Sequence, residues 1–193
     1  MSLCEVSDNR FDEKYLHEIF SIVQSKLKYK ANNVTNPTTW PYGEIGSHRL
    51  FGSRIFCRHH INRIDYLDND NASKFFDMFD FLCELRGINS SDTYLERIDV
   101  NLQHSGCNGT LHLDSAPWHK DSKTVMIMPN PTWEKEWGGE FQIFSEDKTQ
   151  ILEEWDYVPG RIIAFPSHLP HRGLGPNKEH PFVYRYSIVF GVQ

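Results

Sequence analysis

The 193-residue chain has little cysteine, no long apolar run and no excess of basic charge. None of its four cysteines forms a Cys-x-x-Cys pair, so we expect free thiols in a reducing cytoplasm and neither a thiolate zinc site nor disulfides. No apolar run approaches the roughly 20 residues that span a bilayer, and the N-terminus lacks an apolar signal core, so neither membrane nor export is expected. Acidic residues outnumber basic ones by 26 to 20, which argues against nucleic acid as a main partner.

Internal repeats, low-complexity tracts and Gly/Ser-rich linkers are also absent, so we expect residues 1–193 to form a single domain. Hydrophobic residues make up 39% of the chain and charged residues 24%, which is typical of a globular protein. Folding at this length should bury roughly 70% of the surface of the unfolded chain, enough for a core without disulfides. The ten histidines make a metal site the first functional hypothesis to test.

The first half of the chain has helical periodicity. Apolar residues recur at helical spacing over residues 11–27, and Ser7 to Asn9 are the candidate caps of this helix. A second helix is predicted to begin near residues 70–73 and to end at Gly87. Its buried face is expected to carry Phe75, Phe76, Phe79, Leu82 and Leu85. Residues 36–66, rich in proline, glycine and aromatics, predict an irregular loop or short strands.

From about residue 94 the apolar pattern changes to a period of two. Residues 97–103 alternate between apolar and polar side chains, which predicts a strand with one face on the core and a polar face elsewhere. The polar face carries Asp99, Asn101 and Gln103. Further short strands are expected at residues 123–128, 140–145, 161–165 and 183–190. Helices followed by many short strands indicate an α+β domain built on a sandwich or jelly roll.

His112 and Asp114 are the first candidate metal ligands, because side chains two apart on an extended segment share a face. Two imidazoles and one carboxylate on one side of a metal leave its other side open, as in non-haem Fe(II) oxygenases. A second His-x-Asp, His119 to Asp121, lies in a polar stretch that favours a solvated loop. The third ligand is expected from a later strand, and both His168 and His171 follow an apolar run.

Arg185 lies in an aromatic and β-branched run that predicts a buried strand. Its side chain shares a face with Ser187, and burying a guanidinium without an anionic partner would cost several kcal/mol. That partner is either a carboxylate of the protein or the carboxylate of a ligand, with the Ser187 hydroxyl assisting in the second case. Only 14 residues separate Arg185 from His171, so the guanidinium and the metal could share a cavity.

Several motifs follow one another in the second half of the chain. They are His112-x-Asp114, Asn130-Pro131-Thr132-Trp133, Gly138-Gly139-Glu140, Val158-Pro159-Gly160-Arg161, Pro170-His171 and Arg185-x-Ser187. Through these motifs residues 94–193 resemble the Fe(II)- and 2-oxoglutarate-dependent oxygenases, specifically the prolyl-4-hydroxylase-like branch. The resemblance implies a double-stranded β-helix, a jelly roll of the cupin kind, with the N-terminal helices packed on one sheet. Residues 1–93 would form a helical cover and a substrate-side loop.

The resemblance also implies the site and its chemistry. Fe(II) would be held by His112, Asp114 and His171, since Pro170-His171 is where this branch carries its distal ligand, and Arg185 would hold the far carboxylate of 2-oxoglutarate. O2 is the second co-substrate, and ascorbate is the candidate reductant. The expected reaction hydroxylates an unactivated C–H bond and releases succinate and CO2. A prolyl residue of a peptide or protein is the expected target, with a small molecule as the alternative.

Two positions depart from this pattern. Gln103 stands where the branch usually carries a tyrosine, and Met128 stands where an aromatic residue commonly touches the keto acid. Both are therefore candidate 2-oxoglutarate-binding residues whose contacts would differ from those of the family. They also leave an alternative function, a non-catalytic jelly-roll binding or sensing protein with a vestigial metal site. A cupin dioxygenase that uses no keto acid is a third hypothesis.

Overall fold

The computed structural model describes residues 2–32, 50–58 and 69–193. This part of the chain contains two α-helices, α1 (Glu13–Ser25) and α2 (Asn69–Leu85), and two short 3-10 helices, Ser90–Asp92 and Lys135–Trp137. Its strands are β1 (Glu5–Ser7), β2 (Lys30–Asn32), β3 (Leu50–Cys57), β4 (Leu95–His104), β5 (Lys123–Ile127), β6 (Phe141–Phe144), β7 (Ile151–Trp155), β8 (Ile162–Pro166), β9 (His171–Gly173) and β10 (Tyr184–Val192).

The strands form two antiparallel sheets. The larger has seven strands in the order β1-β8-β5-β10-β4-β3-β2, and the smaller has three in the order β7-β6-β9. Long β10 is central, pairing with β4 on one side and with β5 on the other. Two facing sheets with crossovers between them are the double-stranded β-helix that the sequence predicts, and the α+β class is confirmed.

The larger sheet has a hydrophobic core on each face. On one face α1 and α2 pack against it, with Ile19 and Phe75 from the helices meeting Ile98 and Ile188 from the strands. On the other face the smaller sheet packs, through a cluster containing Met126, Met128, Phe141, Ile143, Ile163, Phe165 and Val189. Burial on both faces explains why β8 is apolar throughout and why β5 is continuously apolar from Val125 to Ile127, without a clean alternation.

The start of α1 differs from the prediction. The cap is Asp12, whose carboxylate accepts the backbone N–H of Tyr15 at 2.7 Å, and not a residue of Ser7 to Asn9. Ser7 is unavailable because it pairs with Ile162 in the sheet as the last residue of β1. A three-residue strand has too little pattern to be separated from a helix start by sequence alone.

The second helix is confirmed, but its buried face is narrower than predicted. Phe75, Phe79 and Leu82 are buried as expected, whereas Phe76 is 38% and Leu85 is 41% exposed. Each residue of a helix turns by about 100°, so Phe76 lies beside the buried stripe, where its ring contacts Phe56. The helix stops at Gly87 as predicted, since the backbone there takes a φ of 65° that favours glycine.

The predicted strands of the second half are all present, within two residues of their expected ends. Sequence patterns missed the three-residue strands β1, β2 and β9, and also β7, whose residues are mostly exposed. Residues 36–66 are predicted to form an irregular loop or short strands, and of these, residues 50–57 form strand β3, paired with β4. The rest of that prediction lies outside the described residues, apart from residue 58.

Two expectations drawn from composition concern cysteines and membranes. Cys4, Cys57, Cys83 and Cys107 are all free thiols and all buried, as expected without a disulfide framework. Neither of the helices that the structure describes has the length and apolar character needed to cross a bilayer.

Candidate metal centre

A cavity of about 360 Å³ is lined by residues from both sheets. The polar face of β4 forms one wall, since Arg97, Asp99, Asn101 and Gln103 all line the cavity at alternate positions. This confirms the predicted alternation, and it shows that the second face of β4 borders a cavity and not solvent. The facing wall comes from Phe141 on β6 and from residues of β9.

Two short extended segments bring three potential metal ligands into this cavity. His112 lies in an isolated β-bridge with His171, the first residue of β9, and their backbones exchange hydrogen bonds of 3.0 and 2.9 Å. The backbone N–H of Asp114 donates to Ser167 at 2.9 Å, which holds the carboxylate end of the same segment. Backbone hydrogen bonds therefore fix the main-chain positions of all three residues.

The three side chains converge on one point. Carboxylate oxygens of Asp114 lie 3.7 Å from Nε2 of His112 and 3.5 Å from Nε2 of His171. All three ligand atoms lie within 4.8 Å of one another, and this is the one such group found in residues 2–32, 50–58 and 69–193. The structure thus joins His112, Asp114 and His171, whereas His168 and the His119–Asp121 pair lie outside the group.

In each of the two rings, Nδ1 faces a backbone carbonyl and Nε2 faces the carboxylate of Asp114. Nδ1 of His112 lies 2.8 Å from the carbonyl oxygen of Thr110, and Nδ1 of His171 lies 2.8 Å from that of Leu169. A carbonyl can only accept, so each Nδ1 must carry the proton and each Nε2 must keep its lone pair. Two neutral imidazoles oriented in this way, with one carboxylate, form a donor set suited to non-haem Fe(II).

The carboxylate of Asp114 is held on both oxygens. Oδ2 accepts the hydroxyl of Thr124 at 2.8 Å, and Oδ1 lies 2.9 Å from Nη2 of Arg97. Burial alone would raise the pKa of Asp114, but the positive charge of Arg97 opposes burial and is the main cause that holds this pKa well below its usual value. Asp114 is therefore ionised, as a metal ligand must be.

A charged chain extends from Asp114 along the cavity wall. Asp99 accepts from Nη1 of Arg97 at 2.7 Å and from Nε of Arg54 at 2.7 Å. Burial lowers the pKa of Arg97, yet Asp114 and Asp99 reverse this and raise the pKa above its usual value. Sequence reasoning missed both Arg97 and Arg54; the signal for Arg97 was its position on the same face of β4 as Asp99.

The guanidinium of Arg185 lies at the other end of this wall, only 2% exposed. Its Nε donates to the carbonyl of Gly139 at 3.0 Å, and its Nη1 donates to Oε1 of Gln103 at 2.9 Å. Its Nη2 is buried without a hydrogen-bond partner, and the described residues include no carboxylate paired with it. Burial without a counter-ion lowers the pKa of Arg185 from its usual value.

Space for a ligand is built around the same group. A Cβ at Gly173 would lie 3.2 Å from both terminal nitrogens of Arg185, so glycine there keeps the guanidinium open to the cavity. Ser187 also lines the cavity and is 2% exposed. A buried cation with one unused N–H group and an adjoining space fits the carboxylate of a ligand better than a protein ion pair.

The two departures from the family pattern have different surroundings. Gln103 lines the cavity, and its amide nitrogen donates to the carbonyls of Cys107 at 2.8 Å and Gly173 at 3.0 Å. Met128 is fully buried in the core between the sheets, where its sulfur accepts the backbone N–H of Val158, and it is not among the cavity-lining residues. The residue of this part of the chain that does line the cavity is Met126.

Comparison with known proteins agrees with this geometry. Residues 99–191 match the family model described as the 2OG-Fe(II) oxygenase superfamily. The match covers slightly less than half of the chain and shows that this part is similar to that superfamily. The match contains the whole candidate metal group and Arg185. Enzymes of this superfamily are dioxygenases that use Fe(II), 2-oxoglutarate and O2; the donor set fits Fe(II), and the unused Nη2 of Arg185 fits 2-oxoglutarate.

Solved structures show the same fold. A 2OG-Fe(II) oxygenase family oxidoreductase from Burkholderia pseudomallei has a TM-score of 0.66 at 16% identity, covering 99% of this chain and 85% of its own. A Trichoplax adhaerens prolyl hydroxylase, in complex with a hypoxia inducible factor peptide, has a TM-score of 0.66 at 15% identity. The alignment covers 98% of this chain and 83% of the hydroxylase. A Pseudomonas putida prolyl-4-hydroxylase has a TM-score of 0.59 at 14% identity, and the alignment covers 99% of this chain and 92% of the hydroxylase. No curated protein matches the sequence.

Proposed function

We propose that this oxygenase hydroxylates a prolyl residue of a peptide or protein, with decarboxylation of 2-oxoglutarate to succinate and CO2. The observation that carries the proposal is the cavity in which a His-His-Asp group and a buried arginine with no hydrogen-bond partner for its Nη2 occur together. A metal site alone would fit a cupin that uses no keto acid. A buried cation without a counter-ion adds a site for a dianionic co-substrate.

The roles proposed for the residues follow from their contacts. His112, Asp114 and His171 would hold Fe(II), which supplies a redox centre with open positions for co-substrate and O2. Nη2 of Arg185 would donate to the far carboxylate of 2-oxoglutarate, with the hydroxyl of Ser187 beside it. These residues bind and orient; none of them needs to move a proton.

Part of the cavity lining is apolar. Met126, Phe141, Phe165 and Val189 form this part, and their side chains offer water no hydrogen-bond partner. Exclusion of water strengthens the electrostatic contacts of bound groups and protects a reactive centre from side reactions. The cavity is therefore suited to an oxidation that must reach a C–H bond and spare the protein.

A peptide or protein substrate is favoured by the kind of proteins that share the fold. Two of the three structures compared are prolyl hydroxylases, and one of them holds a peptide. The non-catalytic alternative depended on Gln103 and Met128. It loses support because Gln103 accepts a hydrogen bond from Arg185 and Met128 does not line the cavity.

Succinate release is the test of this proposal. With Fe(II), 2-oxoglutarate and ascorbate, the protein should convert 2-oxoglutarate to succinate, and proline-containing peptides should gain about 16 Da, the mass of one oxygen atom. Matched peptides with alanine in place of proline are the control and should gain nothing. Succinate without a mass gain on proline would reject the prolyl substrate alone, whereas absence of succinate with every peptide would reject the reaction.

Gln103 is expected to matter for 2-oxoglutarate and not for the metal. Gln103→Leu removes the acceptor of a charged N–H of Arg185, and a hydrogen bond to a charged group is worth about 1.5–3 kcal/mol. The KM for 2-oxoglutarate should therefore rise about tenfold or more. The affinity for Co(II), used as a spectroscopic substitute for Fe(II), should change little. Gln150→Leu, at an exposed position, should leave both unchanged. An unaltered KM in Gln103→Leu would show that Arg185 holds its position without this partner.

A further inference from the structure

Arg97 is a charged residue that contacts the candidate metal group. The fold family does not explain the role of this arginine. Its guanidinium bridges two carboxylates, with Nη1 2.7 Å from Asp99 and Nη2 2.9 Å from Asp114. Its side chain is 19% exposed, so this bridge is largely screened from water. A planar guanidinium can satisfy two carboxylates at fixed angles, which a flexible ammonium cannot do.

Because of this bridge, the two carboxylate oxygens of Asp114 have different electrostatic surroundings. Oδ1 faces the cation Arg97, whereas Oδ2 faces the neutral hydroxyl of Thr124. Oδ2 is also the oxygen nearer to His171, at 3.5 Å from its Nε2. Oδ1, which lies 3.7 Å from Nε2 of His112, is thus committed to a charged partner, whereas Oδ2 has a neutral hydroxyl as its donor and faces His171.

Arg97 is itself held in place. Asp99 is 9% exposed and accepts from Arg54 as well as from Arg97, so the far side of the bridge is anchored on two neighbouring strands. The backbone of Gly191 on β10 lies against the stem of Arg97, where a Cβ would come within 3.0 Å of Cγ. The guanidinium is therefore positioned by its surroundings before any ligand binds.

We propose that Arg97 is a positioning residue, which holds Oδ1 of Asp114 so that the carboxylate presents Oδ2 to the metal in a fixed orientation. The inference rests on the proposed function, because it requires a metal at the His112–Asp114–His171 group. Holding one oxygen restricts Asp114 to a single donor atom and preserves open positions for the co-substrates. Partners of this type, which orient a metal ligand, typically affect metal affinity by about 10- to 100-fold.

Titration of the metal-free protein with Co(II), followed by visible absorption, tests this without any turnover. Wild type should bind one Co(II), and Arg97→Met should bind it about 10- to 100-fold more weakly while keeping the circular dichroism of wild type. Arg97→Lys should recover only part of the affinity, because a lysine ammonium cannot span both carboxylates. Arg161→Gln is the matched control: it breaks the bidentate pair with Asp8, away from the cavity, and should leave Co(II) affinity unchanged.

The outcomes separate this inference from the proposed function. Equal or tighter Co(II) binding in folded Arg97→Met overturns the positioning role while leaving the metal site intact. If wild type binds no Co(II), or binds it as well after His112→Ala, both the proposed function and the inference fail. Should Arg97→Met not fold, Arg97→Lys decides: weaker binding with an altered Co(II) spectrum supports the role, and wild-type binding and spectrum reject it.

Discussion

Substitution of His171 by alanine should abolish 2-oxoglutarate turnover and weaken Co(II) binding by more than about 100-fold. Loss of a direct ligand should exceed the 10- to 100-fold effect that is typical of residues behind the ligands. The ring of His171 is 4% exposed, and its Nε2 lies 3.5 Å from the carboxylate of Asp114, so no other described side chain is placed to replace it. His112→Ala and Asp114→Ala should behave in the same way.

His168→Ala is the matched control, because His168 lies only three residues before His171 and does not join the group. It should retain the turnover and the Co(II) affinity of wild type. His119→Ala should do the same, since the second His-x-Asp pair lies in an exposed turn. If His168→Ala lost metal while His171→Ala kept it, the assignment of the third ligand would be wrong and the cavity geometry would need another explanation.

The second large effect is expected at Arg185. Arg185→Met should raise the KM for 2-oxoglutarate by about 150- to 4000-fold, because loss of one partner of a buried charge pair costs about 3–5 kcal/mol. The substitution removes the buried N–H group that has no partner within the described protein. Co(II) affinity should stay near that of wild type, because no metal ligand contacts the guanidinium.

Arg172→Met provides the comparison for this prediction. Arg172 lies on β9 beside His171 but donates to Gln142 at 2.7 Å, and it is not among the residues that line the cavity. The KM for 2-oxoglutarate of Arg172→Met should equal that of wild type. An unchanged KM in Arg185→Met would mean that the arginine serves the fold and that the co-substrate binds elsewhere.

The core of the site could be predicted because its signals are local. His112 and Asp114 share a face through the two-residue period of extended chain, and the same period places Arg185 and Ser187 together. Both pairs line the cavity as expected. The choice of His171 over His168 was different: both follow the same apolar run, and only the family motif, and later the β-bridge with His112, separated them.

What the sequence could not provide was contact between distant strands. Arg97 and Asp114 are joined by a salt bridge of 2.9 Å, and Gln103 bonds to Arg185 across β4 and β10. Both contacts depend on strand register, which no local pattern encodes. The same reason explains the position of Met128, whose side chain packs in the core although its type and place suggested a co-substrate contact.

The sequence by itself determined the fold class, the polar face of β4 and the residue types that meet at the metal group, because alternation and burial act within a single strand. The tertiary structure alone decided which oxygen of Asp114 meets a cation and that Arg185 keeps a buried N–H group without a partner. These depend on which groups of separate strands come within hydrogen-bond distance, and on the exclusion of water that would otherwise satisfy them.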